Sequence, residues 1–219
     1  MTFSNLQYKG RFGLVIAATL IAALLAVGVF GYLYDRRESP TVVMSGSAPC
    51  ALSDESIARI KAASVGELRA FAVMDRPYSV AQFRFNDSNG NPKTIADWQG
   101  RTVLVNLWAT WCAPCRAEMP LLDQLQGELG SDEFEVLPIS VDKSDPAKPK
   151  GFFNDIAVKK MGFFHDRESM TLSQLKRDGL ALGLPATLLV DSRGCAVGRL
   201  NGPAEWASED AHNLIKSAL

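Results

Sequence analysis

Residues 102–108, Thr-Val-Leu-Val-Asn-Leu-Trp, form an almost unbroken apolar run. That is the pattern of a strand buried on both faces, not the alternation of a half-exposed one. Residues 113–125 then change to a helical period, with Leu121, Leu122 and Leu125 on one stripe. Pro114 suits a first helical turn, where a missing N–H costs nothing, while Pro120 predicts a kink. Upstream, residues 51–71 read as helical, with Ile57, Ile60 and Ala63 on one face. A capping box at Ser64-Val65-Gly66-Glu67 predicts that this helix restarts. Residues 80–85 alternate as a strand, 86–92 are turn-forming, and 93–95 can return as the hairpin partner.

Downstream, the pattern predicts a buried strand over 134–141 and a helix over 145–158, entered through Asp145-Pro146. A short apolar stretch at 161–164 and a helix over 171–176 follow. A strand over 183–191 turns at Ser192-Arg193-Gly194 into a partner over 195–200, and a last helix covers 208–218. Strands that first alternate with helices and then close as a hairpin argue for an α/β fold with a mixed sheet.

The N-terminal pattern is different. Residues 12–34 carry no charge and, at about 1.5 Å per residue, reach roughly 34 Å, enough to span a bilayer core. The apolar core of a signal peptide is shorter, about 7–15 residues, so an uncleaved anchor is expected. Basic residues flank both ends, Lys9 and Arg11 before and Arg36 and Arg37 after, so charge does not set the orientation. The short leading tail and the large following domain do: residues 1–11 inside, 12–34 a transmembrane anchor, 35–50 a tether, 51–219 a folded domain outside the cytoplasmic membrane. The chain has 219 residues, 47% hydrophobic and 21% charged, with net charge −1. That balance gives no reason to expect nucleic acid as a partner.

The candidate chemistry lies where the buried strand meets the helix, at Cys112-Ala113-Pro114-Cys115. A helix N-terminus leaves N–H groups unpaired and carries a partial positive charge, which favours a thiolate there. The alternative is half of a zinc site. Zinc needs about four ligands, and Cys50, Cys195, His165 and His212 all stand alone, so redox chemistry is expected and no metal. An even number of cysteines also fits an oxidising compartment.

The run Asn106-Leu107-Trp108-Ala109-Thr110-Trp111-Cys112-Ala113-Pro114-Cys115-Arg116-Ala117-Glu118-Met119-Pro120, the later Leu184-Pro185-Ala186-Thr187 and the final hairpin resemble thioredoxin-fold proteins. Among these, the chain is most similar to the TlpA-like membrane-anchored thiol:disulfide interchange proteins. The resemblance covers about residues 80–219. It implies a thioredoxin-like fold with a central mixed sheet flanked by helices, an N-terminal extension and a central insertion. It also implies that Cys112 is the exposed nucleophile, Cys115 the resolving thiol, and Pro185 a cis proline facing the pair. Leu184 would then offer its backbone to a partner's extended segment. Glu118 matches an acid placed near the pair, with a surface helix carboxylate as the alternative. Asn106 departs from the buried aspartate of ordinary thioredoxins, which leaves Glu118 or water to carry the proton. Trp108 and Trp111 are expected to be packing residues, Trp111 also shielding the rim of the site. Cys50 and Cys195 are expected to form a structural disulfide, the alternative being two unpaired thiols.

A monomeric enzyme without a cofactor is expected, and the resemblance implies that it reduces disulfides in periplasmic proteins of cytochrome c or cytochrome oxidase assembly. A membrane protein would supply its electrons. Three rivals stand beside it: a thiol oxidant of the same fold, a thiol peroxidase and a copper carrier. Peroxidases of this fold place Thr three residues before the reacting cysteine, where this chain has Ala109.

Overall fold

The structure is a computed structural model and describes residues 50–156 and 158–219. The tail 1–11, the anchor 12–34 and the tether up to Cys50 lie outside the described residues. Among the described residues no helix is long and apolar enough to cross a membrane.

The apolar run becomes strand β4 (Thr102–Trp108), and every one of its residues is buried. Its neighbours explain why. On one side it pairs in parallel with β5 (Phe134–Ser140), on the other antiparallel with β7 (Ala186–Val190), so both edges and both faces are covered. Helix α2 (Ala113–Leu129) makes the crossover from β4 to β5 and continues as one helix through Pro120. Its buried stripe is Cys115, Glu118, Met119, Leu122 and Leu125, the helical period of a core-facing side. β7 turns at Ser192-Arg193-Gly194 into β8 (Cys195–Asn201), with Leu188 opposite Arg199.

Between β5 and β7 lies the central insertion: α3 (Ala147–Asp155), β6 (Phe164–His165) and α4 (Met170–Arg177). β6 adds to β5 in parallel, and the hairpin of β2 (Arg84–Asn86) and β3 (Pro92–Thr94) adds to β6 through Asn86 and His165. Phe85, Trp98 and Phe164 hold that extension together with ring centroids 5.3–5.8 Å apart. With an edge strand β1 (Ala72–Ser79), the finished order is β1-β8-β7-β4-β5-β6-β2-β3, and α5 (Glu209–Ser217) closes the chain with Ser208 as its cap.

Several expectations are corrected. The first helix, α1 (Asp54–Ala63), stops well short of residue 71. The Ser64 hydroxyl donates back to the Ile60 carbonyl, and Gly66 takes φ +51° into a single 3₁₀ turn at Gly66–Leu68, so no capping box restarts a helix there. The capping box forms instead between Thr94 and Asp97. Residues 72–79, which carry no clean alternation, form the edge strand β1 (Ala72–Ser79) against β8. The strand expected over 80–85 is only Arg84–Asn86, because Phe83 N–H turns back to the Val80 carbonyl. The helix expected over 145–158 is shortened to Ala147–Asp155, and the strand expected from 183 begins at Ala186, after Pro185. Trp108 is fully buried, whereas Trp111 is 67% exposed and packs nothing in the core.

Candidate active site

The segment leaving β4 is clamped before it reaches the cysteines. Asp142, buried just after β5, accepts from the Thr110 N–H and the Thr110 hydroxyl, both at 2.8 Å, and from the Ser140 hydroxyl at 3.0 Å. Its backbone carbonyl is held by His165 Nε2 at 2.7 Å. The Cys112 N–H then turns back to the Ala109 carbonyl, and Cys112 becomes the N-cap of α2. Its sulfur lies 3.3 Å from the Cys115 N–H, so a charge on that sulfur meets both a donor and the positive end of the helix. Cys112 and Cys115 are joined by a disulfide, with Cα atoms 5.3 Å apart. Cys112 keeps 5% exposure and Cys115 none, so Cys112 is the more accessible of the two.

One helical turn below Cys115, Glu118 is 1% exposed. The surface-carboxylate alternative is excluded. Its Oε1 accepts from Asn106 Nδ2 at 2.8 Å, and its Oε2 accepts from Trp206 Nε1 at 3.2 Å and the Ala204 N–H at 3.3 Å. Burial pushes this carboxyl up to about 7, even though its three donors favour the charged form. Asn106 also donates to Thr187 Oγ1 at 3.0 Å, while its own Oδ1 is buried without a partner. Glu118 therefore stands at the centre of a polar island spanning β4, β7 and the segment after β8.

Strand register brings the remaining residues to the same end of the sheet. Leu107 faces Ala186, so Pro185 and Leu184 emerge beside the exit of β4, and the Leu184–Pro185 peptide is cis. The Gly202 N–H binds the Pro185 carbonyl, tying the exit of β8 to that loop. Cys50 and Cys195 lie elsewhere, at the opposite end of β8, and are joined by a second disulfide across 145 residues of chain. Arg193 reinforces it by donating to the Ala51 carbonyl and the Asp191 carboxylate. Among the described residues no three His, Cys, Asp or Glu side chains gather to hold a metal.

Asp142 and Trp206 were not singled out from sequence. An acid directly after a buried strand, in Ser140-Val141-Asp142, could have pointed to the first. Nothing local marks the second, because its acceptor is 88 residues away.

Comparisons with known proteins agree with this geometry. The Redoxin family profile matches residues 77–215. Thioredoxin-like protein YneN of Bacillus subtilis is 28% identical over 118 residues, 51% of this chain and 63% of that protein. The chain thus spans less than two thirds of that relative. Thiol-disulfide oxidoreductase ResA of Bacillus thuringiensis subsp. konkukian is 27% identical over 140 residues, 61% of this chain and 73% of that protein. A solved thiol:disulfide interchange protein of the thioredoxin family from Chlorobium tepidum is 26% identical with TM-score 0.54, covering 65% of this chain and 97% of the other. The fold is therefore thioredoxin-like, a mixed sheet flanked by helices.

Proposed function

The chain belongs to the Redoxin family and carries the dithiol site of an oxidoreductase; we propose that it reduces disulfides in partner proteins through Cys112 and Cys115. The observation that carries this reading is the asymmetry of the pair. One sulfur is reachable at the cap of α2, and the other is sealed beneath it, one turn above a buried acid.

In the reduced enzyme, the Cys112 thiolate attacks one sulfur of a partner disulfide and releases the other as a thiolate, which takes up a proton. Cys115 then gives its proton to Glu118 and attacks Cys112 Sγ. The mixed disulfide breaks, the partner leaves with its second sulfur reduced, and two electrons have passed from the dithiol to the partner. Trp111, Leu184 and Pro185 form the docking rim, with the Leu184 backbone pairing to an extended segment of the partner. The cycle closes when a membrane electron donor reduces the Cys112–Cys115 bond.

We place this domain outside the cytoplasmic membrane, as a monomer held by the 12–34 anchor. The long uncharged run and the second cysteine pair support that placement. Partners in cytochrome c or cytochrome oxidase assembly are the class that the sequence resemblance supports.

The test uses the full chain in its membrane. Cys115→Ser is expected to accumulate covalent complexes with partners through Cys112, and Cys112→Ser to lose turnover. A Cys115→Ser protein that captures no partner would sink the mechanism. The direction of electron flow is read from the potential of the pair in glutathione buffers. A value near or below about −220 mV supports a reductant, and one near about −120 mV makes the protein an oxidant.

A further inference from the structure

Glu118 has a second opening. Beside it lies a pocket of about 330 Å³ lined by Ala117, Glu118 and Leu121 of α2, by Glu67, Arg69 and Ala70 before β1, and by residues 203–205 after β8. Neither cysteine lines it, nor does Trp111 or Pro185. At about 100° per residue, the Ala117-Glu118-Leu121 stripe falls on nearly the opposite side of α2 from Cys112. A carboxyl that is 1% exposed and bonded to Asn106, Ala204 and Trp206 thus borders solvent-sized space away from the Cys112 cap.

We propose that this pocket is the proton port of the site, through which Glu118 exchanges its proton with solvent while a partner protein occludes the Cys112 face. The inference rests on the proposed role of Glu118 as acceptor of the Cys115 proton. When Cys115 attacks the mixed disulfide, its S–H bond breaks, the proton passes to a Glu118 oxygen, and the new Cys112–Cys115 bond displaces the partner thiolate. A Glu118 that is already protonated cannot accept it, and must first discharge its own proton to solvent while the partner is still attached. The groups around the carboxyl divide the task. Asn106, Thr187, Trp206 and the Ala204 N–H are neutral and fix its position. The charged groups, Glu67, Arg69 and Glu205, line the pocket and are all exposed, so its wall there meets bulk water. The pocket wall formed by residues 67–70 comes from the extension that precedes β1, which gives that extension a part in the chemistry beyond packing.

The experiment follows single-turnover resolution of a mixed disulfide on Cys112 in the full chain, at fixed pH and ionic strength, with rising imidazole. Imidazole is small enough to enter the pocket and accept a proton there, so resolution by the wild-type protein is expected to quicken with its concentration. Ala117→Leu and Ala70→Leu fill the pocket from two different elements, and both alanines are exposed, so neither change strains the core. Both variants are expected to resolve about tenfold more slowly and to lose the imidazole response, as blocked acid–base exchange requires. The first step, measured in a Cys115→Ser background, should keep its rate, and the melting temperature should not move. Folded variants that keep the wild-type rate, or that keep the imidazole response, overturn the port, as does a wild-type rate indifferent to imidazole. Glu118→Gln separates the two claims. It is expected to slow resolution about 100-fold. If it does not, the role of Glu118 itself falls; if it does while the filled pockets run at the wild-type rate, only the port falls.

Discussion

Glu118→Gln also reads out directly how costly the buried acid is to the fold. In the unfolded chain the carboxyl titrates near 4.5, and in the folded protein near 7, because burial penalises its charge. An acid whose folded value is raised binds more protons in the native state across that window, so stability falls as pH rises from about 4.5 to 7. Below the window the group is neutral in both states and costs nothing. Above it, at about 1.4 kcal/mol per pH unit, the charged carboxylate destabilises the fold by about 3 kcal/mol. Glutamine removes the titration but keeps the shape: its carbonyl can accept from Trp206 and Ala204. Its amide faces Asn106, whose unpartnered Oδ1 can turn to receive it. The assay is urea unfolding of both proteins, disulfides intact, at pH 5 and pH 8. The wild type is expected to lose about 2.5 kcal/mol relative to Glu118→Gln between the two, since pH 5 already lies inside the window, or about 1 M in midpoint for an ordinary slope. Asp87, Asp97 and Asp178 are all held below their usual range, so they titrate beneath the window and cancel in the comparison. Parallel pH profiles for the two proteins would refute the reasoning, since they would mean that the carboxyl is not desolvated in the fold.

Two further outcomes follow from geometry outside the dithiol. Replacing Cys50 and Cys195 by Ser together opens a 145-residue loop. It should lower unfolding free energy by up to about 5 kcal/mol in the chain-entropy account, measured by denaturant titration, while the potential of Cys112–Cys115 stays put. Asp142→Ala removes the acceptor of two half-buried Thr110 donors and of the buried Ser140 hydroxyl, leaving them unpaired. A loss of about 3 kcal/mol is expected, with amide exchange quickening first at Thr110 and Cys112; unchanged protection there would show that the clamp does not hold the loop.

What the sequence by itself determined is what local pattern can encode. The apolar run of β4, the period of α2 and the hairpin of β7 and β8 follow from residues near one another in the chain, and so does a dithiol at a strand-to-helix junction. Tertiary structure decided everything that depends on which distant segments meet. Strand β1 escaped notice because an edge strand needs no alternation: Ala72–Ser79 is held by pairing with β8, and its register breaks between Val73 and Tyr78. Trp108 and Trp111 are the same residue type three positions apart. One is sealed between its neighbours and the other lies open, because β4 ends between them. Glu118 is the sharpest case. In sequence it is a carboxylate in the early turns of a helix, indistinguishable from a surface residue, and only the arrival of Asn106, Ala204 and Trp206 from other elements buries it. Desolvation is a property of the assembled surroundings rather than of the residue, so the resemblance could single out Glu118 but only the fold shows it buried.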